Sequence, residues 1–203
     1  MAKLYFKFGA MKCGKTTDII KTYYNYIEKG MSVLIIKPGD DKKAGCKIQS
    51  RSGAELNTDY VISKEVNIYN LIGEHMLDYN LDCILVDEAQ FLLPEQVDQL
   101  TEVVDKYDIP VLCYGLRADA FTHSFPGSLR LFEVADVLEE LKAICKCGSK
   151  ATYNLRYNRI NDKLIPVFSG EQISIDGIDA EYDSVCRVCY KKLRREYEKK
   201  KEK

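Results

Sequence analysis

The stretch Gly9-Ala10-Met11-Lys12-Cys13-Gly14-Lys15-Thr16 decides the fold class of this 203-residue chain. It fits the pattern G-x-x-x-x-G-K-[ST], follows an alternating apolar segment at residues 4–8, and precedes a helical pattern that runs to about residue 29. In such a loop several backbone N–H groups face one anion, and the helix that follows points its positive N-terminus at the same place. Gly9 and Gly14 allow the backbone angles and the close approach that this shape needs. The motif and its context predict a phosphate-binding loop between a strand and a helix.

The same pattern assigns roles to individual side chains. All eight residues of the motif are predicted to contact the phosphates of ATP, mainly through backbone N–H groups. Lys15 supplies a mobile positive charge to the β- and γ-phosphates, and the Thr16 hydroxyl is a predicted ligand of Mg²⁺.

Two acidic residues follow an apolar segment at residues 83–86, which is typical of a buried parallel strand. Ligands of open α/β sheets bind beyond the carboxyl ends of the strands, where Asp87 and Glu88 would lie. Asp87 is predicted to hold Mg²⁺ opposite Thr16, and Glu88 to accept a proton from the group that attacks the γ-phosphate. Because Glu88 could activate water as readily as a substrate hydroxyl, the pair leaves both an ATPase and a kinase open.

Short apolar segments alternate with helical patterns along the first two thirds of the chain, which predicts an α/β sheet. Further strands are expected at residues 33–37 and 111–114, and a helix from Pro94 to about residue 107. Residues 38–60 are polar and are expected to form a mobile loop. The nearly all-charged residues 190–203 are expected to be a frayed helix or disordered.

Composition narrows the class of protein further. Apolar residues make up 46% of the chain and charged residues 30%, which suits a globular fold. No apolar segment is long enough to cross a bilayer and the N-terminus lacks a signal-peptide pattern, so we expect a cytoplasmic protein with no membrane partner. The net charge of −1 argues against a protein whose main task is to bind nucleic acid.

Four of the eight cysteines form two close pairs about 40 residues apart. Cys145-Lys146-Cys147 and Cys186-Arg187-Val188-Cys189 could supply four thiolates to a tetrahedral Zn²⁺. Reduced buried thiols are the alternative, but both pairs have polar neighbours. Four protein ligands leave no position for a reacting water, so the zinc site is predicted to be structural.

Taken together and in this order, the motifs resemble those of the type II thymidine kinase family. The resemblance is carried by Asp87-Glu88-Ala89-Gln90-Phe91, Tyr114-Gly115-Leu116-Arg117, Phe125 with Gly127-Ser128, the segment from Glu139 through Cys145 and Cys147 to Gly148, and Tyr182-Asp183-Ser184-Val185-Cys186-Arg187. It covers the chain from the first strand to about residue 190.

The resemblance implies a RecA-like P-loop core, with a parallel sheet flanked by helices, and a small zinc-binding β-rich domain that carries a lasso loop. It implies domains at residues 1–142 and 143–192, followed by a charged tail at 193–203. Members of the family transfer the γ-phosphate of ATP to the 5′-hydroxyl of thymidine or deoxyuridine with Mg²⁺. They commonly form homotetramers and are inhibited by thymidine triphosphate.

The resemblance also implies the residues of the site. Glu88 matches the catalytic base, and Asp87, Glu88, Ala89 and Gln90 are also predicted to be ATP-binding residues. The nucleoside-binding positions are Phe91, Ala120, Phe125, Gln172, Ile173, Ser174, Ile175, Asp176, Gly177 and Tyr182. Ala120 stands where the family often has an aromatic residue, and Asp176-Gly177 where it usually has two glycines, so base contacts can differ in this chain.

Three further residues are candidates for contacts with the donor phosphates. They are Arg51 and Ser52 in the polar segment and Arg117 after the fourth strand. Two other functions remain open on the residues alone. One is a RecA-like zinc-containing ATPase that acts on nucleic acid, and the other is a nucleotide-responsive regulator without turnover.

Overall fold

The computed structural model describes residues 1–39, 47–51, 53–161, 163–170 and 180–201, the last residue by its backbone alone. Its largest element is a six-stranded sheet with the order β5-β2-β6-β7-β1-β8. These strands are β1 (Leu4–Gly9), β2 (Val33–Pro38), β5 (Tyr60–Ile62), β6 (Cys83–Val86), β7 (Val111–Leu116) and β8 (Val137–Leu141). The four helices that accompany them are α1 (Lys15–Ile27), α2 (Ile68–Asp78), α3 (Pro94–Tyr107) and α4 (Pro126–Val134).

Strands β5, β2, β6 and β7 pair in parallel, with Ile36 of β2 opposite Val86 of β6 and Val86 opposite Cys113 of β7. Parallel neighbours end at the same edge of a sheet, so the residues after β2, β6 and β7 share that edge. The predicted α/β class, a parallel sheet flanked by helices, is confirmed.

Strand β6 lies at the centre of the core, since none of its four side chains exceeds 0% exposure. Helices α2 and α3 cover the sheet with apolar faces that include Ile72 and Leu100. Asn67 caps α2 by accepting a hydrogen bond from the Asn70 N–H, and Pro94 begins α3 where a missing N–H costs least.

The chain forms two compact units. The first comprises Met1–Phe8, Gly14–Leu116 and Phe125–Glu140, and the second comprises Gly9–Cys13, Arg117–Ser124 and Leu141–Lys203. The second unit contains the antiparallel sheet β12-β11-β13, with β11 at Tyr153–Ile160, β12 at Lys163–Val167 and β13 at Glu181–Val185. It also contains the short pair β9 (Ala143–Ile144) and β10 (Lys150–Ala151), and helix α5 (Arg187–Lys201).

The prediction of a mobile loop at residues 38–60 is wrong for much of its described part. Strands β3 (Lys47–Gln49) and β4 (Glu55–Asn57) form an antiparallel hairpin there. Ile48 and Leu56 lie opposite each other in this hairpin and both are buried, so apolar packing stabilises two strands of only three residues each. Among the described residues, no helix is long and apolar enough to span a membrane.

Candidate active site

The phosphate loop joins the end of β1 to the start of α1. Lys12 and Gly14 have φ angles of 64° and 88°, in the left-handed region from which concave anion-binding nests of backbone N–H groups are built. The Asp18 N–H donates to the Gly14 carbonyl at 3.0 Å and closes the first turn of α1. A Cβ on Gly9 would lie 2.5 Å from the Cys13 Sγ and 2.6 Å from the Leu141 carbonyl oxygen, so only glycine fits at this position.

Asp87 follows β6 directly and is 5% exposed. Burial and the neighbouring Glu88 charge raise the pKa of Asp87 to about 7, while Lys37 and Lys15 act in the opposite direction. A buried carboxylate next to a second one is stabilised in its charged form by cations. The strand end is therefore suited to a bound cation close to the lysine of the phosphate loop.

The backbone turns sharply at Glu88, whose φ of 52° lies in the left-handed region, and a 3-10 helix spans Ala89–Phe91. The Gln90 side chain donates from Nε2 to the Glu88 Oε2 at 2.5 Å. Its Oε1 accepts the Leu116 N–H at 3.0 Å, and the residue is 1% exposed. Gln90 thus fixes the Glu88 carboxylate relative to the end of β7.

Two aromatic rings lie beside this 3-10 helix. The rings of Phe91 and Phe125 meet edge to face with centroids 5.6 Å apart. Phe125 is 5% exposed and Phe91 is 37% exposed, so Phe125 belongs to the core and Phe91 presents part of its ring to solvent.

In the second unit, Ala120 and Tyr182 form a small buried apolar cluster with Ala180, against which Met11 packs. The loop that carries Ala120 is held in place, because the Ala120 carbonyl accepts a hydrogen bond from the Tyr190 hydroxyl at 2.8 Å. Asp119 holds the same loop by accepting the N–H groups of Phe121 and His123 with one carboxylate oxygen, each at 2.8 Å.

The four paired cysteines also come together within the second unit. Their sulfur atoms all lie within 4.8 Å of one another, and the Sγ atoms of Cys147 and Cys186 are 3.6 Å apart. A tetrahedral zinc ion with Zn–S bonds of about 2.3 Å would separate its sulfurs by about 3.8 Å. Hydrogen bonds from the backbone and side chain of Ser149 lower the pKa of Cys147 to about 6, while hydrogen bonds with the other three thiols raise the pKa of Cys189 to about 12, so the support for a metal site comes from the proximity of the four sulfur atoms. The Cys145, Cys147, Cys186 and Cys189 cluster therefore fits a structural zinc ion.

Comparison with known proteins agrees with this geometry. The sequence profile described as thymidine kinase matches residues 2–190. The thymidine kinase of Pasteurella multocida is 48% identical over 192 residues, which cover 94% of this chain and 97% of that protein. That of Haemophilus influenzae (strain 86-028NP) is 46% identical with the same coverage. The thymidine kinase of Francisella tularensis subsp. holarctica is 41% identical, over 94% of this chain and 98% of that protein.

The chain belongs to the thymidine kinase family. Some residues predicted for a thymidine kinase site cannot be placed, because Ser52 and the six positions Gln172, Ile173, Ser174, Ile175, Asp176 and Gly177 lie outside the described residues. Arg51 and Arg117 are both exposed. The Arg117 N–H donates to the Gly9 carbonyl at 3.3 Å, so the backbone of Arg117 adjoins the phosphate loop.

The sequence did not reveal two buried polar residues that support loops of the candidate site. Asn154 is 5% exposed and hydrogen-bonds both the phosphate loop and the loop after β7. Arg156 is 7% exposed, stacks over the Phe121 ring at 4.9 Å and donates to the Ser169 carbonyl. Both lie on the mostly buried start of β11, and their alternation with Tyr153, Leu155 and Tyr157 gave no sequence signal for burial, because such alternation is typical of an exposed polar face.

Proposed function

We propose that this protein transfers the γ-phosphate of ATP to the 5′-hydroxyl of thymidine, with Glu88 as the general base. The observation that carries the proposal is the Glu88 carboxylate, fixed by Gln90 at the strand end that also bears Asp87. In the reaction the 5′-oxygen attacks the γ-phosphorus, the bond to the β-phosphate oxygen breaks, and ADP leaves. The hydroxyl proton moves to the Glu88 carboxylate.

The phosphate loop binds and orients the donor in this proposal. The backbone N–H groups of residues 9–16 and the Lys15 ammonium contact the β- and γ-phosphates. Thr16 and Asp87 would hold Mg²⁺, which neutralises charge on the phosphate oxygens when it is bound. The opposing influence of Lys15 on the Asp87 pKa supports a common site for these groups.

The acceptor contacts are proposed by family membership and side-chain chemistry. Phe91 and Phe125 offer an edge-to-face aromatic surface in the first unit, and Ala120 and Tyr182 offer a small apolar surface in the second. We propose that these residues contact the nucleoside, that deoxyuridine is also accepted, and that the four-cysteine cluster holds Zn²⁺. We further propose a homotetramer, which light scattering would test, and inhibition by thymidine triphosphate, which product-inhibition assays would test. A cytoplasmic location is part of the same proposal.

The decisive experiment combines a nucleoside panel with one substitution. Purified protein with ATP and Mg²⁺ would receive thymidine, deoxyuridine or deoxycytidine, and monophosphates would be separated by chromatography. We expect thymidine monophosphate, and Glu88→Gln should lower kcat by about 10²–10⁴-fold because the base is lost. The affinity for ATP should change less than about twofold, since the phosphate loop is untouched.

Glu95→Gln provides the matched control, because Glu95 is an exposed acid in the first turn of α3. A Glu88→Gln enzyme that keeps full activity would remove Glu88 from the mechanism. ATP hydrolysis at the same rate with and without a nucleoside would instead support the ATPase alternative. The similarity to thymidine kinases argues against that alternative.

A further inference from the structure

In the second unit, which carries the four-cysteine cluster and is called the zinc-binding unit below, the buried Asn154 side chain contacts two loops. The Asn154 Oδ1 accepts the Met11 N–H of the phosphate loop at 2.7 Å. Its Nδ2 donates to the Ala118 carbonyl, also at 2.7 Å. Both bonds are short and involve a side chain that is 5% exposed, so a side chain that could not make them would leave a half-buried N–H and a half-buried carbonyl without this partner. Asn154 therefore fixes the backbone of the phosphate loop to strand β11.

Two further contacts join the phosphate loop to the cysteine cluster. Cys13 packs against the apolar cluster that includes Cys145 and Cys186. Asp183 of β13 lies between two lysines, at 3.7 Å from the Lys12 Nζ and 3.5 Å from the Lys146 Nζ. Lys146 is the residue between the first two cysteines of the cluster.

These contacts are not equal in strength. The Lys146 side chain is 89% exposed, and ion pairs open to solvent contribute little because water screens them. The Asn154 bonds and the Cys13 packing are the stronger contacts, since Asn154 is 5% exposed and Cys13 packs, partly buried, against a buried apolar cluster.

We propose that the zinc-binding unit positions the phosphate loop through Asn154 and Cys13, so that zinc binding and ATP binding reinforce each other. Cys145 and Cys147 of the β9–β10 hairpin and Cys186 and Cys189 at the start of α5 would hold the zinc ion, which would fix the apolar cluster against which Cys13 packs. Asn154 is a positioning residue in this scheme, because it acts on ATP through the Met11 N–H. The inference rests on ATP binding at the phosphate loop, which is part of the proposed function, and it does not depend on thymidine as the acceptor.

Reciprocal linkage gives the test, since a metal that tightens ATP binding must itself be held more tightly when ATP is bound. Zinc-loaded full-length protein would be mixed with the coloured chelator 4-(2-pyridylazo)resorcinol, with and without magnesium–ATP. We expect ATP to slow zinc release by about threefold or more in the unmodified protein. In Asn154→Ala that protection should fall below about twofold, and calorimetry without thymidine should show ATP bound about 3- to 10-fold more weakly.

Arg159→Ala is the matched control, because Arg159 lies on the same strand and forms an exposed ion pair with Glu181. It should keep both the ATP affinity and the protection of zinc. Asp183→Asn serves as a second variant and should lose no more than about twofold in ATP affinity, as expected for a partly exposed charge.

Three results would overturn the inference. They are equal zinc release with and without ATP in the unmodified protein, full protection retained in Asn154→Ala, and equal loss of protection in Arg159→Ala. The comparison of zinc release with and without ATP uses the unmodified protein, so it can be made even if Asn154→Ala does not fold. An unmodified protein that bound no ATP in calorimetry would instead contradict the proposed function.

Discussion

Replacing Gln90 by leucine should separate the positioning of the general base from the stability of the core. Leucine keeps the approximate volume of the side chain but can neither donate to Glu88 nor accept from Leu116. The 2.5 Å bond to the Glu88 Oε2 is charge-assisted, a class that contributes about 1.5–3 kcal/mol. The Leu116 N–H, which now bonds at 3.0 Å, would lose its partner at a cost of about 1–3 kcal/mol.

The two losses appear in different measurements. The unsatisfied Leu116 N–H lowers the free energy of unfolding, which urea denaturation of the zinc-loaded protein would measure. The free Glu88 carboxylate lowers kcat, because it must be ordered again in each turnover. If the whole free energy of the charge-assisted bond is added to the activation barrier, kcat should fall by about 10- to 100-fold, because about 1.4 kcal/mol corresponds to each tenfold change. Steady-state assays with saturating ATP and thymidine would measure it.

Gln96 offers a control of the same residue type and similar burial. It is 3% exposed, donates from Nε2 to the carbonyls of Ser63 and Val66, and accepts the Leu93 N–H. Gln96→Leu should lose as much stability as Gln90→Leu while kcat stays within about twofold. Equal losses of kcat in the two variants, or full activity in Gln90→Leu, would refute the assignment of Gln90 as the residue that positions Glu88.

Two further predictions concern parts of the first unit that support the site. Gly127→Ala should lower the free energy of unfolding by about 1–3 kcal/mol, because the new Cβ would lie 2.6–3.0 Å from three backbone oxygens of the 89–92 segment. Gly73→Ala, whose Cβ would meet only the end of a tyrosine side chain at 3.1 Å, should be neutral or stabilising in the same denaturation experiment. Asp18→Asn should cost about 1–3 kcal/mol, since the Lys7 Nζ bonds the Asp18 carboxylate at 2.9 Å and both side chains are less than one quarter exposed. An unchanged unfolding midpoint in Gly127→Ala or in Asp18→Asn would contradict the prediction for that variant.

The sequence predicted the first unit well where the signals were local. Strand β1 with the helix α1 that follows it, strand β6 and the helix that begins at Pro94 are each defined by a few adjacent residues, and the structure confirms these elements. The hairpin of β3 and β4 was missed because its strands are short. Ile48 and Leu56 are buried through pairing with each other, and such pairing cannot be deduced from either segment alone.

The C-terminal helix also depends on a contact that its own sequence does not reveal. The charge density of residues 190–203 predicted a frayed helix or disorder, and the described residues form the helix, with α5 continuing to Lys201. Lysine, arginine and glutamate favour helices, and the rings of Tyr190 and Tyr197, seven residues apart on one face, both pack on Phe168. The partner ring lies on a segment that precedes the helix by almost twenty residues, so the stabilising contact was not visible in the pattern of the helix itself.

The cysteine spacing predicted the cluster but not its neighbours. That four thiols meet follows from two close pairs, whereas the contact of Cys13 with the same apolar cluster follows only from the path of the folded chain. The roles of Asn154 and Arg156 were missed for the same reason, since a polar residue in a strand usually indicates an exposed face.

Gln90 and Asn154 suggest why amides were selected over acids at these two positions. Each must donate with one atom and accept with another. Gln90 donates to Glu88 and accepts from Leu116, and Asn154 donates to Ala118 and accepts from Met11. A carboxylate can accept but cannot donate when ionised, and it would place negative charge beside the general base in one case and beside the phosphate loop in the other. A neutral amide meets both demands with the electrostatic field for the triphosphate unchanged. The two loops that we propose to perform the chemistry are thus each held by a buried side chain that is neutral and both donates and accepts a hydrogen bond.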